Sequence, residues 1–288
     1  MATVVKRPLI QEYHDYLEFL KDWVEYLKDR EKGFSLRQVA KEAGMASGYL
    51  PMCFARKRKL SRRALAKLKP HLKMTPKEER YLDLLQVIAE SEDPKERVQA
   101  LTGLQKLRDY KESNRHELEV HQYLSKWYFV AIRELVNLPE FSADPVWIQQ
   151  KLRGRVSQKE VEDALDFLLK FGFVDKDSDG KYKVIQKQLD CHEGVFKISL
   201  GEFHRQMLDW AKTSIEEVPR AERLLLGHTA ALTKGQFEAV QTILRDALAS
   251  LEKVDAADAD PTGEVYHIEL AAFPLTKKVA EDDEVMGE

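Results

Sequence analysis

Within residues 34–61, FSLRQVAKEAGMASGYLPMCFARKRKLS, two groups of residues could do chemistry on a polyanion. The first is the cationic run Arg56-Lys57-Arg58-Lys59, continued by Arg62 and Arg63 and preceded by Arg37. Guanidinium and ammonium groups hold phosphate oxygens by charge-assisted hydrogen bonds, and such contacts supply affinity without sequence information. The second is Ser47-Gly48-Tyr49, with Met52 one turn further on. At the head of a helix these side chains can meet base edges by apolar contact or single hydrogen bonds. The bidentate readers Arg, Asn and Gln are missing between Ser47 and Phe54. Pro51 also removes a backbone donor about one turn in. The expected DNA contacts are therefore Ser47, Gly48, Tyr49 and Met52 toward bases, and Arg37, Arg56, Lys57, Arg58, Lys59, Arg62 and Arg63 toward phosphates. The expected binder is strongly electrostatic and modest in intrinsic specificity.

Those residues need elements to position them. Ser35 followed by Gln38 has the form of a capping box, Val39, Ala40 and Ala43 give an apolar face, and Gly44 marks a stop. Ser47 is placed to cap the next helix, whose Leu50, Cys53 and Phe54 point inward. A helix-turn-helix needs this arrangement: a small residue at the bend, buried residues that fix the crossing, and a second helix offering its first turn to the major groove. The competing arrangement is a plain helical bundle with a basic exterior. Around this unit, residues 11–30 carry aromatic and aliphatic residues at helical spacing and read as a core-facing helix. Lys59-Leu60-Ser61 leads into a helix through Leu65 and Leu68, which Pro70 closes. Thr75-Pro76-Lys77-Glu78 opens another with cap, proline and capping-box glutamate in order.

At this level the segment resembles a Cro/C1-type helix-turn-helix. More closely, the chain resembles a family of uncharacterised predicted bacterial transcription regulators, in which such an N-terminal module precedes a C-terminal domain of unknown function. The resemblance rests on Phe34-Ser35, Arg37, Ala40, Ala43-Gly44, Ser47, Lys57-Arg58 and Leu60-Ser61, with SKWYFVAIRELVNLPEF, DPVWIQQKL and ELAAFPLTK later in the chain. It covers most of the sequence and implies a DNA-binding regulator. The family often has glycine where this chain has Arg56, which puts the shape of that turn in question and adds a positive charge.

Charge distribution agrees with an anionic partner for the N-terminal part. The net charge of the 288 residues is only −3, yet between Phe34 and Lys73 Glu42 is the lone acid. The end reverses this, with Asp255, Asp258, Asp260, Glu264 and Glu269 before Glu281-Asp282-Asp283-Glu284. Two cysteines, Cys53 and Cys191, make no disulfide framework and no metal spacing. The N-terminus lacks a signal-peptide pattern and no run suits a membrane span, so a cytoplasmic protein is expected.

Beyond Asp93-Pro94, residues 95–135 read as nearly continuous helix, with the polar stretch 108–117 as linker. Helices at SKWYFVAIRELVNL, VWIQQKL and EVEDALDFLLKFGFV, the last opened by the capping box Ser157–Glu160, precede DKDSDGKYKVIQ with Asp179-Gly180 as a two-residue hairpin turn. That is the order of a winged helix-turn-helix. Its candidate recognition helix, 158–171, carries Lys159 but also Glu160, Glu162, Asp163 and Asp166, so it is read as facing protein or ligand, with the wing lysines Lys176, Lys181 and Lys183 keeping DNA as an alternative. The last part alternates: helix, the strand-like RLLLGHTAAL, a long helix, and the strand-like EVYHIELAAFPL, which suggests an α/β module.

The expected fold is mainly α, with a helix-turn-helix domain over 1–92, a helical linker over 93–123, a winged-helix-like module over 124–190, an α/β module for dimerisation or sensing over 191–279 and a disordered acidic tail over 280–288. Asp175, Asp177, Asp179 and Gly180 imitate half of a calcium loop, but position twelve is Gln186 and a strand follows, so a hairpin is expected. Cys191-His192 forms no recognisable catalytic set, and neither metal spacing nor a phosphate loop occurs, so no enzyme activity, cofactor or metal is expected. Expected partners are double-stranded DNA and a second copy of the chain, with an effector, protein or small molecule, left open; the helices at 11–30, 95–135 and 234–254 are the candidate dimer surfaces. The rival reading is a protein-interaction or scaffold protein that keeps the helix-turn-helix fold without readout.

Overall fold

The computed structural model describes residues 5–187, 189, 193–251, 253–254 and 263–277. Cys191, His192 and the acidic residues 281–284 lie outside these, as do Asp255, Asp258 and Asp260. The chain is mainly helical. Thirteen α-helices accompany one two-stranded antiparallel sheet among the described residues. No helix among them is long and apolar enough to cross a membrane.

The first core forms around α1, Tyr16–Arg30. Asp15 caps it by accepting from the N–H groups of Leu17 and Glu18, so the helix starts later than the aromatic pattern alone indicates. Tyr16, Phe19, Leu20, Trp23, Val24 and Leu27 are buried, each contributing about 1.5–3 kcal/mol of apolar transfer. Around it pack α2 (Leu36–Glu42), α3 (Tyr49–Phe54), α4 (Arg62–Leu68) and α5 (Pro76–Glu90). The Trp23 indole donates to the carbonyl of Leu72 at 2.8 Å, and buried Gln86 donates to that of Leu60 at 2.8 Å. Thr75 and Glu78 complete the expected capping box. Ser35 caps α2, but Gln38 turns to Glu42 rather than back to the cap, so only half of that box forms.

The long helix expected over 95–135 is four helices: α6 (Pro94–Gln105), α7 (Arg108–Ser113), α8 (Arg115–Ser125) and α9 (Trp127–Leu135). Asn114 leaves helical geometry at φ −125° and ψ 46°, and its side-chain amide donates to the carbonyls of Tyr110 and Gln11. Lys126 is extended. Gln206 secures that break by accepting from the N–H of Trp127 at 3.0 Å and donating to the carbonyl of Ser125 at 3.0 Å. The expected linker 108–117 is helical and partly buried. Tyr110 and Glu117 are buried and hydrogen-bonded to one another, and Tyr110 belongs to the first core.

The second core joins α8 and α9 to α10 (Pro145–Lys151), α11 (Gln158–Lys170) and α12 (Glu193–Glu217). Ser157 and Glu160 form the expected reciprocal box. Next come β1 (Val174–Lys176) and β2 (Tyr182–Val184), paired Val174 to Val184 and Lys176 to Tyr182. The loop between them is one residue longer than expected. The Gly180 N–H reaches the Asp177 carbonyl, the Asp177 N–H reaches the Lys181 carbonyl, and Gly180 stands at φ 78°, which makes a type I turn with a glycine bulge. The Asp177 carboxylate accepts from the N–H groups of Asp179 and Lys181, so it shapes this turn.

The expected α/β module is a correction. Residues 223–232 and 264–275 enter no β-ladder, whereas the two expected helices form, as α12 and as α13 (Lys234–Leu251). Strands need neighbours for their backbone groups, and among the described residues this chain offers these segments none.

Candidate nucleic-acid interface

The basic segment is set by two left-handed helix endings. Gly44 ends α2 at φ 66°, with the N–H of Met45 on the Ala40 carbonyl. Arg56 ends α3 at φ 55°, with the N–H of Lys57 on the Met52 carbonyl. The second ending explains why a glycine suits position 56: an L side chain pays for left-handed geometry, and glycine does not. Between the endings, the turn into α3 is made by backbone. Tyr49 N–H donates to the Ala46 carbonyl and Gly48 is already helical, so the expected cap from Ser47 does not form.

Tyr49 is the hinge of the site. Its hydroxyl donates to the Lys59 carbonyl at 3.1 Å and accepts from the Ser61 N–H at 3.3 Å. Arg58 lies over its ring at 5.0 Å. Tyr49 therefore braces the basic turn, and its hydroxyl is engaged there rather than aimed outward. Ser47, Gly48 and Met52 are exposed, with Met52 44% accessible. The Met52 N–H donates to the Gly48 carbonyl, so the two residues share one side of α3. Space beside the Gly48 Cα is open.

A shallow groove joins the start of α3 to α4. Met45, Ala46, Tyr49, Arg58, Ser61, Arg63, Ala64 and Lys67 line it. Its lining holds three cations and no carboxylate. Lys67 is not among the residues expected from the sequence; its place four residues after Arg63 on one helix face is the signal that points to it. A second depression, lined by Leu17, Arg56, Lys57, Arg58, Lys59 and Glu90, lies toward α1 and includes an acid.

The remaining expected cations divide by partner. Arg56 pairs with Asp15 and approaches Glu18 at 3.7 Å. Burial pushes the Asp15 carboxyl up, but the hydrogen bonds from Arg56, Glu18 N–H and Leu17 N–H outweigh it and hold the group below its usual range. Arg62 pairs with Glu96, and that hydrogen bond raises the guanidinium further and lowers the carboxyl. Lys59 reaches Glu92 at 3.4 Å. All three pairs are solvent-exposed, where such contacts contribute about 0–1 kcal/mol. Arg37 and Lys57 are exposed with no ion pair among the described residues; Arg37 lines neither depression. Cys53 is buried, and burial raises its thiol, so it packs beneath α3 rather than reacting.

The corresponding turn in the second half is already filled. Lys151 meets Glu264 at 3.2 Å, Arg153 meets Glu222 at 3.3 Å, and Arg155 meets Glu217 while lying over Trp210 at 3.9 Å. On α11, Lys159 pairs with Asp163 at 2.7 Å. In the hairpin, Lys183 approaches Asp175 at 3.7 Å and Lys176 lies over Tyr182 at 4.6 Å.

Comparison with known proteins adds one finding. No curated protein and no solved structure matches the chain. Residues 107–275, more than half of it, match the family described as Domain of unknown function (DUF4423). These residues begin in the turn before α7 and run through the second core to the final extended segment, and by that match the chain belongs to the DUF4423 family.

Proposed function

We propose that this protein is a cytoplasmic, bacterial, DNA-binding transcriptional regulator, in which α2 and α3 act as a helix-turn-helix of the Cro/C1 type. The observation that carries this reading is the acid-free groove joining the leading turn of α3 to Arg58, Arg63 and Lys67. A duplex seated there puts Ser47, Gly48 and Met52 toward the major groove and the three cations toward phosphates. Arg37 and Lys57 extend the cationic surface on either side. Arg56, Lys59 and Arg62 add phosphate contacts only by exchanging a carboxylate partner for a phosphate. The second half, with its winged-helix-like order and its basic turn covered by Glu217, Glu222 and Glu264, serves assembly or signal reception.

The test is a fluorescence titration of mixed genomic DNA fragments at two salt concentrations. The variant Arg58→Glu/Arg63→Glu/Lys67→Glu is compared with the wild type. Removing one phosphate-binding cation lowers the slope of log affinity against log salt by about 0.9. The expected result is tight, salt-dependent binding by the wild type and near-complete loss in the variant. A wild-type chain that retains no DNA at low salt favours the rival reading of a scaffold. That rival draws support from a six-residue α3 without a bidentate base reader.

A further inference from the structure

Residues 223–251 and 263–275 carry an apolar surface that this chain leaves in solvent. Leu224 is 78% exposed, Leu226 85%, Phe273 69% and Leu275 74%. α13 has no buried residue; Phe237, Val240 and Leu244 are only half-covered, and Ile243 and Leu248 are exposed. Soluble monomers rarely expose a contiguous apolar patch beyond a few hundred Å². The backbone adds a second deficit. Residues 224–232 and 264–275 make no backbone–backbone hydrogen bond among the described residues. Apolar side chains and unpaired ladder groups on one segment are the marks of a strand without its neighbour.

The second segment is also aimed. Val265 packs on the second core, Glu264 pairs with Lys151, and the Glu269 carboxylate takes His204 at 2.8 Å and His267 at 2.9 Å. From Val265 to Leu270 the sides alternate: Val265 and Glu269 are docked, while Tyr266, Ile268 and Leu270 face solvent. This is the period-two alternation of a strand with one face docked and one face empty.

We propose that residues 223–232 and 263–275 of two copies of this chain pair as an intermolecular β-sheet covered by α13, making the protein a two-fold homodimer. Three observations favour a second copy as the occupant. Each copy holds two extended segments without partners and one helix, α13, without a buried residue, and a second copy brings the same set, so a two-fold contact closes. Charge poses no obstacle: residues 224–233 contain no Asp, Glu, Lys or Arg, and Glu269, the sole such residue in 266–276, is already engaged. Twelve large apolar side chains between Leu224 and Leu275 are exposed among the described residues, a number that suits a standard interface of about 20–30 residues a side.

The test is independent of DNA. Light scattering on the full chain at micromolar concentration is expected to give twice the 33.3 kDa chain mass. Leu226→Asp/Ile268→Asp, at positions exposed in the single chain, is expected to halve that mass with unchanged far-ultraviolet dichroism. Hydrogen exchange is expected to be slow at the amides of 224–232 and 264–275 in the wild type, and to quicken on dilution below the dimer range, which reads the interface even if the variant misfolds. A monomeric wild type, a folded variant that stays dimeric, or a dimer whose amides in these segments exchange freely overturns the proposal.

Discussion

The hydroxyl of Tyr49, the first residue of α3, hydrogen-bonds to the carbonyl of Lys59 within the basic turn at 3.1 Å. The leading turn of the helix and the cationic turn after it are thereby one unit. Tyr49→Phe keeps the ring beneath Arg58 and removes both hydroxyl contacts. Stability is expected to fall by about 0.5–1.5 kcal/mol, and DNA affinity to fall severalfold with an unchanged salt slope, read by denaturant titration and anisotropy. An unchanged affinity would separate the two turns.

Gln86 supports the same turn from beneath. It is 3% exposed and donates to the Leu60 carbonyl. Gln86→Leu leaves that carbonyl buried and unpaired, at an expected cost of about 1–3 kcal/mol. The midpoint of urea unfolding checks this, with an unchanged slope as the sign of an intact cooperative unit.

Arg56 combines a left-handed backbone with an exposed ion pair. Arg56→Gly relieves a backbone cost of about 1–2 kcal/mol and gives up a pair contributing about 0–1 kcal/mol. The melting temperature is expected to hold or rise slightly. Arg56→Val, β-branched at φ 55°, is expected to lower it clearly. A fall with glycine equal to that with valine would show that the Asp15 contact outweighs the strain.

Acid should loosen the packing of α8 on α12. His121 contacts the Ser199 hydroxyl at 2.9 Å, and burial lowers its pKa below the usual 6.5. The unfolded chain therefore binds a proton at higher pH than the folded one. This stability is fully present above 6.5 and is lost as the pH falls through the depressed folded value. Thermal melts from about pH 7.5 to 5 are expected to show this loss, and His121→Gln to reduce it.

Much of the local architecture is legible in the sequence because it rests on short-range chemistry. Thr75–Glu78 and Ser157–Glu160 announce their helices, since both halves of each box lie within four residues. Gly44 announces its stop. The break at Lys126 depends on Gln206, eighty positions downstream, and periodicity cannot see it. Residues 223–232 and 264–275 are apolar runs that read as strand-like, but pairing is a property of two segments, and each of these shows only its own side of it. At the site, the cationic run is plain in the sequence. Its division into ion-paired Arg56, Lys59 and Arg62 against groove-lining Arg58, Arg63 and Lys67 depends on Asp15, Glu92 and Glu96, which arrive from other parts of the chain.

α6 belongs to both halves of the molecule. Leu104 sits in the first core, while Leu101, three residues earlier, packs with Val195 and Ile198 of α12. A shaft keyed at both ends transmits torque. Any rocking of α12 must either shear the Leu101 contact or carry α6 with it, and α6 turns against α5, whose Gln86 props the cationic turn.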